Sequence, residues 1–156
     1  AGDRPFSFHG EQIGVTTLTM ARLQERMLAG PAPVLAADCA SEADFVAHFG
    51  ADLGPSCWKG SAQKRLTPDK AAALNGRIAA SWDSVRARIS AATLPSAVLE
   101  RVLAQAGAPR IPEDLGWSRD FYRQAVRHAR KIRNRYTFLD LAGDSGALEA
   151  LVPRIA

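Results

Sequence analysis

Between Gln12 and Ala21 the chain carries no charged side chain, and its apolar residues recur at helical spacing. Ile13, Thr17, Met20, Leu23 and Met27 make one stripe, and Val15 and Leu18 add apolar groups on the other side. A helix that is apolar most of the way round is buried on most sides. The residues from His9 to about Ala29 therefore read as a central core helix, ended by Gly30, Pro31 and Pro33. His9 stands at its mouth. The first turn of a helix has unpaired N–H groups and a partial positive potential, which leaves an imidazole lone pair available to a metal ion. Gly10 would let a ligand or another backbone come close, and Glu11 could act on the ring from behind. From spacing alone, a cap or a core hydrogen bond is the simpler account of a lone histidine, because a catalytic divalent ion takes about three protein ligands.

The other elements are set by caps and breaks. Ala1 to Ser7 read as an irregular loop that Pro5 keeps extended. Asp38 or Ser41 caps a short helix through Phe49, with Phe45, Val46 and Phe49 on its apolar side. Gly50 and Gly54-Pro55 punctuate the chain beyond it, and 56–66 is ambiguous between a packed turn and a short helix. Thr67-Pro68-Asp69 starts a helix to about Ser90 with Leu74, Ile78, Trp82, Val85 and Ile89 inward. Leu94-Pro95-Ser96 opens the next helix, Gly107 closes it, and Pro109 and Pro112 mark a turn. Ser118 caps a long helix to about Arg135, with Phe121, Tyr122, Ala125, Val126, Ala129 and Ile132 on one face. Tyr136 to Leu141 continues as a helical turn or elbow, and 147–152 is a short helix ended by Pro153. There is no period-2 strand, repeat or low-complexity tract. The expected architecture is all-α, a single domain of about six to eight helices packed around the first.

A chain of 156 residues, 47% hydrophobic, has enough interior for a sizeable core and is not disordered. The net charge of +4 is mildly basic and does not by itself imply nucleic acid. Cys39 and Cys57 have neither metal-type nor framework spacing, so reduced thiols and a cytoplasmic location are expected. No apolar run reaches the roughly 20 residues of a membrane span, and nothing at the start resembles a signal peptide.

Seven cations lie on residues 119–135, with Asp120 the only acid. No aromatic residue is interleaved on the basic side, so this face reads as solvated, paired with carboxylates or packed on a partner, rather than as a nucleic-acid surface. His48 and His128 lack a second histidine or cysteine at i+3 or i+4 and read as structural. Trp58, Trp82 and Trp117 read as packing residues. No phosphate loop, nucleophile elbow or zinc-protease motif is present.

Three stretches carry a resemblance. His9-Gly10-Glu11-Gln12-Ile13-Gly14-Val15 resembles the second metal-histidine motif of the sn-glycerol-1-phosphate dehydrogenases. These belong with the iron-containing alcohol dehydrogenases, glycerol dehydrogenase and dehydroquinate synthase. Ala106-Gly107-Ala108-Pro109 and Pro112-Glu113-Asp114-Leu115-Gly116 are similar to that family's late helix-turn segment. Ile132-Arg133-Asn134-Arg135-Tyr136-Thr137-Phe138-Leu139-Asp140-Leu141-Ala142 resembles its C-terminal signature, the most specific of the three. Order and approximate spacing agree over essentially the whole chain.

The resemblance implies an oxidoreductase of two halves: an N-terminal α/β half that binds NAD(P), and a C-terminal helical half. A divalent metal in the cleft, zinc or alternatively nickel or iron, polarises the carbonyl of dihydroxyacetone phosphate while hydride arrives from the nicotinamide. The product is sn-glycerol 1-phosphate, which places the enzyme in phospholipid metabolism. The family's metal is held by an aspartate and two histidines, of which only the last histidine maps here, onto His9. The nucleotide-binding half and the two other ligands are expected upstream of Ala1. The chain therefore reads as the C-terminal metal and substrate domain, inactive by itself, whose partners are the missing half and a small phosphorylated substrate. Homo-oligomerisation is left open. The alternatives are a domain of a glycerol or iron-type alcohol dehydrogenase, and a non-catalytic helical module derived from that fold.

Overall fold

The computed structural model describes residues 8–156; the loop expected over the first seven residues lies outside them. Among the described residues the chain is all-helical, with no strand. These residues form seven α-helices: α1 (His9–Ala29), α2 (Glu42–Ser61), α3 (Pro68–Ala92), α4 (Ser96–Gln105), α5 (Arg119–Ala129), α6 (Phe138–Asp144) and α7 (Leu148–Ile155). Single 3-10 turns cover Ala62–Lys64, Pro112–Leu115 and Arg130–Ile132. The helices group into two compact units. One holds the described residues up to Pro31, Asp83–Val126 and Ala150–Ala156; the other holds Ala32–Trp82 and Arg127–Glu149.

In the first unit, α1 buries Val15, Leu18, Thr19, Ala21, Leu23, Met27 and Leu28. The inward face therefore joins Val15 and Leu18 to the C-terminal part of the expected stripe, Leu23 and Met27, while the stripe's first members turn outward: Ile13 is 48% exposed and Thr17 is exposed too. The helix buries one broad face rather than most of its circumference. A buried hydroxyl pair explains the choice. Thr19 Oγ1 donates to the Val15 carbonyl (3.1 Å) and accepts from the Tyr122 hydroxyl of α5 (2.8 Å). Gly14 lets α4 come close, because a Cβ there would lie 3.2 Å from Leu103 Cδ2. Arg22 pairs with Glu100 at 3.1 Å. Pro95 has no side-chain acceptor with which to cap α4, so Glu25 of α1 takes the Ser96 N–H and hydroxyl instead. Pro112, Leu115, Val126, Val152 and Ile155 complete this core. Ile155 lies beyond the expected stop at Pro153; its burial favours continuing α7 despite the one backbone bond a proline forfeits.

In the second unit, α2 starts as expected on Ser41, whose hydroxyl accepts from the Asp44 N–H. It then breaks at Gly50, where φ is 80°, a conformation that favours glycine. The ambiguous stretch resolves as the second leg of α2 and its 3-10 extension. The two legs, 42–49 and 51–61, meet at Gly54. A Cβ there would sit 2.5 Å from Val46 Cα and 2.7 Å from Val46 N, so no larger residue fits without moving backbone. Phe45 is buried against the Trp58 ring in edge-on geometry, with centroids 5.2 Å apart. Thr67 caps α3 by accepting from the Lys70 N–H. The connector before α2 is tied to α3 by Asn75, whose amide exchanges two hydrogen bonds with the Leu35 backbone (2.8 and 2.9 Å).

The expected helix to Arg135 ends earlier, with α5 at Ala129 and one 3-10 turn after it. The Lys64 ammonium donates to the Arg130 and Arg135 carbonyls and so caps this end from a distant turn. Ile132, expected on the apolar face, is 52% exposed as a result of the changed phase, and Phe121 is 50% exposed.

Candidate functional site

His9 is the first residue of α1 and is exposed. Gly10 faces open space, since a Cβ there would meet nothing within 4 Å. Glu11 has a local role: one carboxylate oxygen accepts the Phe8 N–H at 2.7 Å, satisfying a donor at the helix start. Counted by the helical repeat, His9, Ile13, Thr16 and Thr17 lie along one side of α1, and all four are exposed or half-exposed. Among the described residues no three His, Cys, Asp or Glu side chains are gathered to hold a metal ion. Among the described residues His9 therefore does not make a metal site in its own right. Both cysteines are free thiols.

The stretch 132–142 builds a different feature, which the sequence does not announce. Asp140, at 1% exposure, accepts from the Thr137 N–H (2.8 Å) and hydroxyl (2.9 Å) through one oxygen. Its other oxygen accepts from Lys64 Nζ (2.7 Å) and Arg130 Nε (3.4 Å). Arg130 also pairs with Asp144, and the Tyr136 hydroxyl donates to Asp144 at 2.9 Å. Burial pushes the Asp144 carboxyl up, against the pull of Arg130. Burial, then the neighbouring Asp144 charge, raises the Tyr136 phenol well above its ordinary range. Every carboxylate oxygen here is occupied by a donor, so the cluster clamps Ala62–Lys64, Arg130–Ile132 and α6 together rather than offering a reactive group. Gly143 belongs to it, because a Cβ there would run into the Arg130 guanidinium. In the sequence, the only trace is an aspartate inside the apolar run of α6.

Two of the three arginines of α5 meet carboxylates, and the Nε of the third, Arg123, is buried with no hydrogen-bond partner among the described residues. Arg119 meets Glu113 at 2.8 Å and Arg127 meets Glu149 at 2.8 Å. His48 and His128, both expected to be structural, stack on each other with centroids 3.5 Å apart. His128 Nδ1 is buried without a hydrogen-bond partner among the described residues. Burial, then the His48 ring, with Lys131 and Arg127 adding to it, lowers the His128 pKa from 6.5, while Glu149 opposes. A lowered imidazole pKa means that the unfolded chain binds more protons, so this contribution is complete above pH 6.5 and is lost as pH falls. Thermal melts between pH 8 and pH 5 are expected to show a falling midpoint, with a shallower slope in His128→Phe. An unchanged slope in that variant would rule the pair out as the origin.

Compared with protein families, with curated proteins and with solved structures, the chain matches none. No helix of the described residues is long and apolar enough to cross a membrane.

Proposed function

We propose that these residues form the helical metal and substrate half of a metal-dependent, NAD(P)-dependent oxidoreductase of the sn-glycerol-1-phosphate dehydrogenase type. The observation that carries this reading is the open side of α1. His9 leads it, and Ile13, 48% exposed and about one turn further along the same side, adds apolar surface. A histidine kept for packing would be covered; this one stands in solvent next to surface that an opposing half would bury. His9 would be one ligand of zinc, or of nickel or iron, and when bound the metal supplies Lewis-acid polarisation of a substrate carbonyl. Glu11 holds the Phe8 N–H and so keeps the start of α1, and with it His9, in place. The reading requires an NAD(P)-binding half and two further ligands from outside residues 8–156, a phosphorylated three-carbon substrate and a cytoplasmic setting.

The test begins with the coding sequence ahead of Ala1, which should encode a nucleotide-binding α/β half with an aspartate and a histidine for the metal. The longer protein, loaded with zinc, should oxidise NAD(P)H with dihydroxyacetone phosphate, and the 156-residue chain alone should not. Turnover by the short chain, or a longer protein inert toward both dihydroxyacetone phosphate and glycerol, would end the proposal.

A further inference from the structure

The second unit contains an open groove of about 630 Å³. Leu35, Leu66, Leu74 and Ile78, members of one apolar cluster, form its floor. Its rim is cationic. Arg65, Lys70 and Arg77 line it with no ion-pair partner among the described residues, and no described carboxylate lines it. Lys64 also borders the groove, but its charge is spent on Asp140. Lys70, Leu74, Arg77 and Ile78 fall at i, i+4, i+7 and i+8 of α3, so both cations rise from the same helix face as the apolar pair. They are about 10 Å apart along the axis, within joint reach of one head group given the length of the two side chains. Arg65 is held in place, with its guanidinium 3.1 Å from the Trp58 ring centroid and donating to the Trp58 carbonyl at 2.8 Å. A fixed cation costs less entropy to use in binding than a mobile one.

We infer that this groove binds a small amphipathic anion, a phosphate or carboxylate head on a short aliphatic tail. The head would meet Lys70 and Arg77, and the tail would lie on Leu66, Leu74 and Ile78. The volume lies within the range of small-molecule sites, about 300–1,000 Å³. A bare anion would leave the floor wet, and a neutral alkyl group would leave the cations unmatched. A second copy of the chain would have to present carboxylates beside apolar groups to fill the same space. The inference goes beyond the proposed dehydrogenase reading and does not depend on His9.

Isothermal titration calorimetry with octyl phosphate, octanol and inorganic phosphate decides it. Octyl phosphate should bind one to one, at least about tenfold tighter than either half-ligand, and weaken as salt is added. The double variant Lys70→Gln, Arg77→Gln, both sites exposed, should bind it about tenfold or more weakly. Lys59→Gln, in the same unit but off the groove, should bind as the parent does. Equal binding by parent and double variant, no preference over octanol, or no binding would overturn the inference. So would concentration-dependent self-association that octyl phosphate fails to compete. Circular-dichroism melts of the double variant verify that its fold is kept.

Discussion

Asp140→Ala is expected to destabilise the chain by about 3–5 kcal/mol, the usual cost of removing one member of a buried ion pair. Lys64, whose side chain is 8% exposed, would be left with carbonyl oxygens alone. The start of α6 would lose the acceptor for both the N–H and the hydroxyl of Thr137. Arg130 would keep Asp144, which is why the loss should stop short of complete unfolding. In a chain of this length the thermal midpoint should fall by roughly 10 °C. Asp140→Asn, which keeps an acceptor but not the charge, should fall between parent and Ala. Lys64→Met combined with Asp140→Ala should cost less than the sum of the single changes, because no buried charge is then left alone. Urea unfolding of the parent, the single variants and the double variant measures all of this. A cost below about 1 kcal/mol for Asp140→Ala would mean that the ammonium finds water, and the clamp would lose its role.

His9→Ala is expected to separate function from fold. His9 is exposed, so its loss should move the stability of the isolated chain by no more than about 0.5 kcal/mol. In the longer protein of the proposed reading, the same change removes one of about three metal ligands. Metal content after dialysis should fall, and kcat/KM should drop at least about a hundredfold, since even partners behind a ligand are worth roughly 10- to 100-fold. Zinc content by atomic absorption and steady-state rates give the two readouts. Full metal retention with full activity would dismiss His9 as a ligand. A large loss of stability in the short chain would show it to be structural after all.

Much of this was legible because it is local. The threonine before Pro68 and the serine before Arg119 are caps, and each hydroxyl accepts from the first turn of its helix. Trp82 on α3 and Tyr122 and Val126 on α5 were expected inside, and are buried. The charged cluster was not legible. A lysine and an aspartate 76 residues apart read as two solvated side chains until the fold brings them to 2.7 Å.

By itself, then, the sequence determined the helical class, the caps and the main breaks, since period, capping chemistry and glycine or proline act within a few residues of one another. Which side of α1 faces inward was settled by packing across the fold, because apolar groups on both sides leave its rotation undetermined until Thr19 meets Tyr122. Such packing also settled that α2 doubles back on Gly54, that α5 stops at Ala129 under the Lys64 cap, and that cations collect around an apolar groove. Each of these depends on groups distant in sequence becoming neighbours, and no local pattern carries that information.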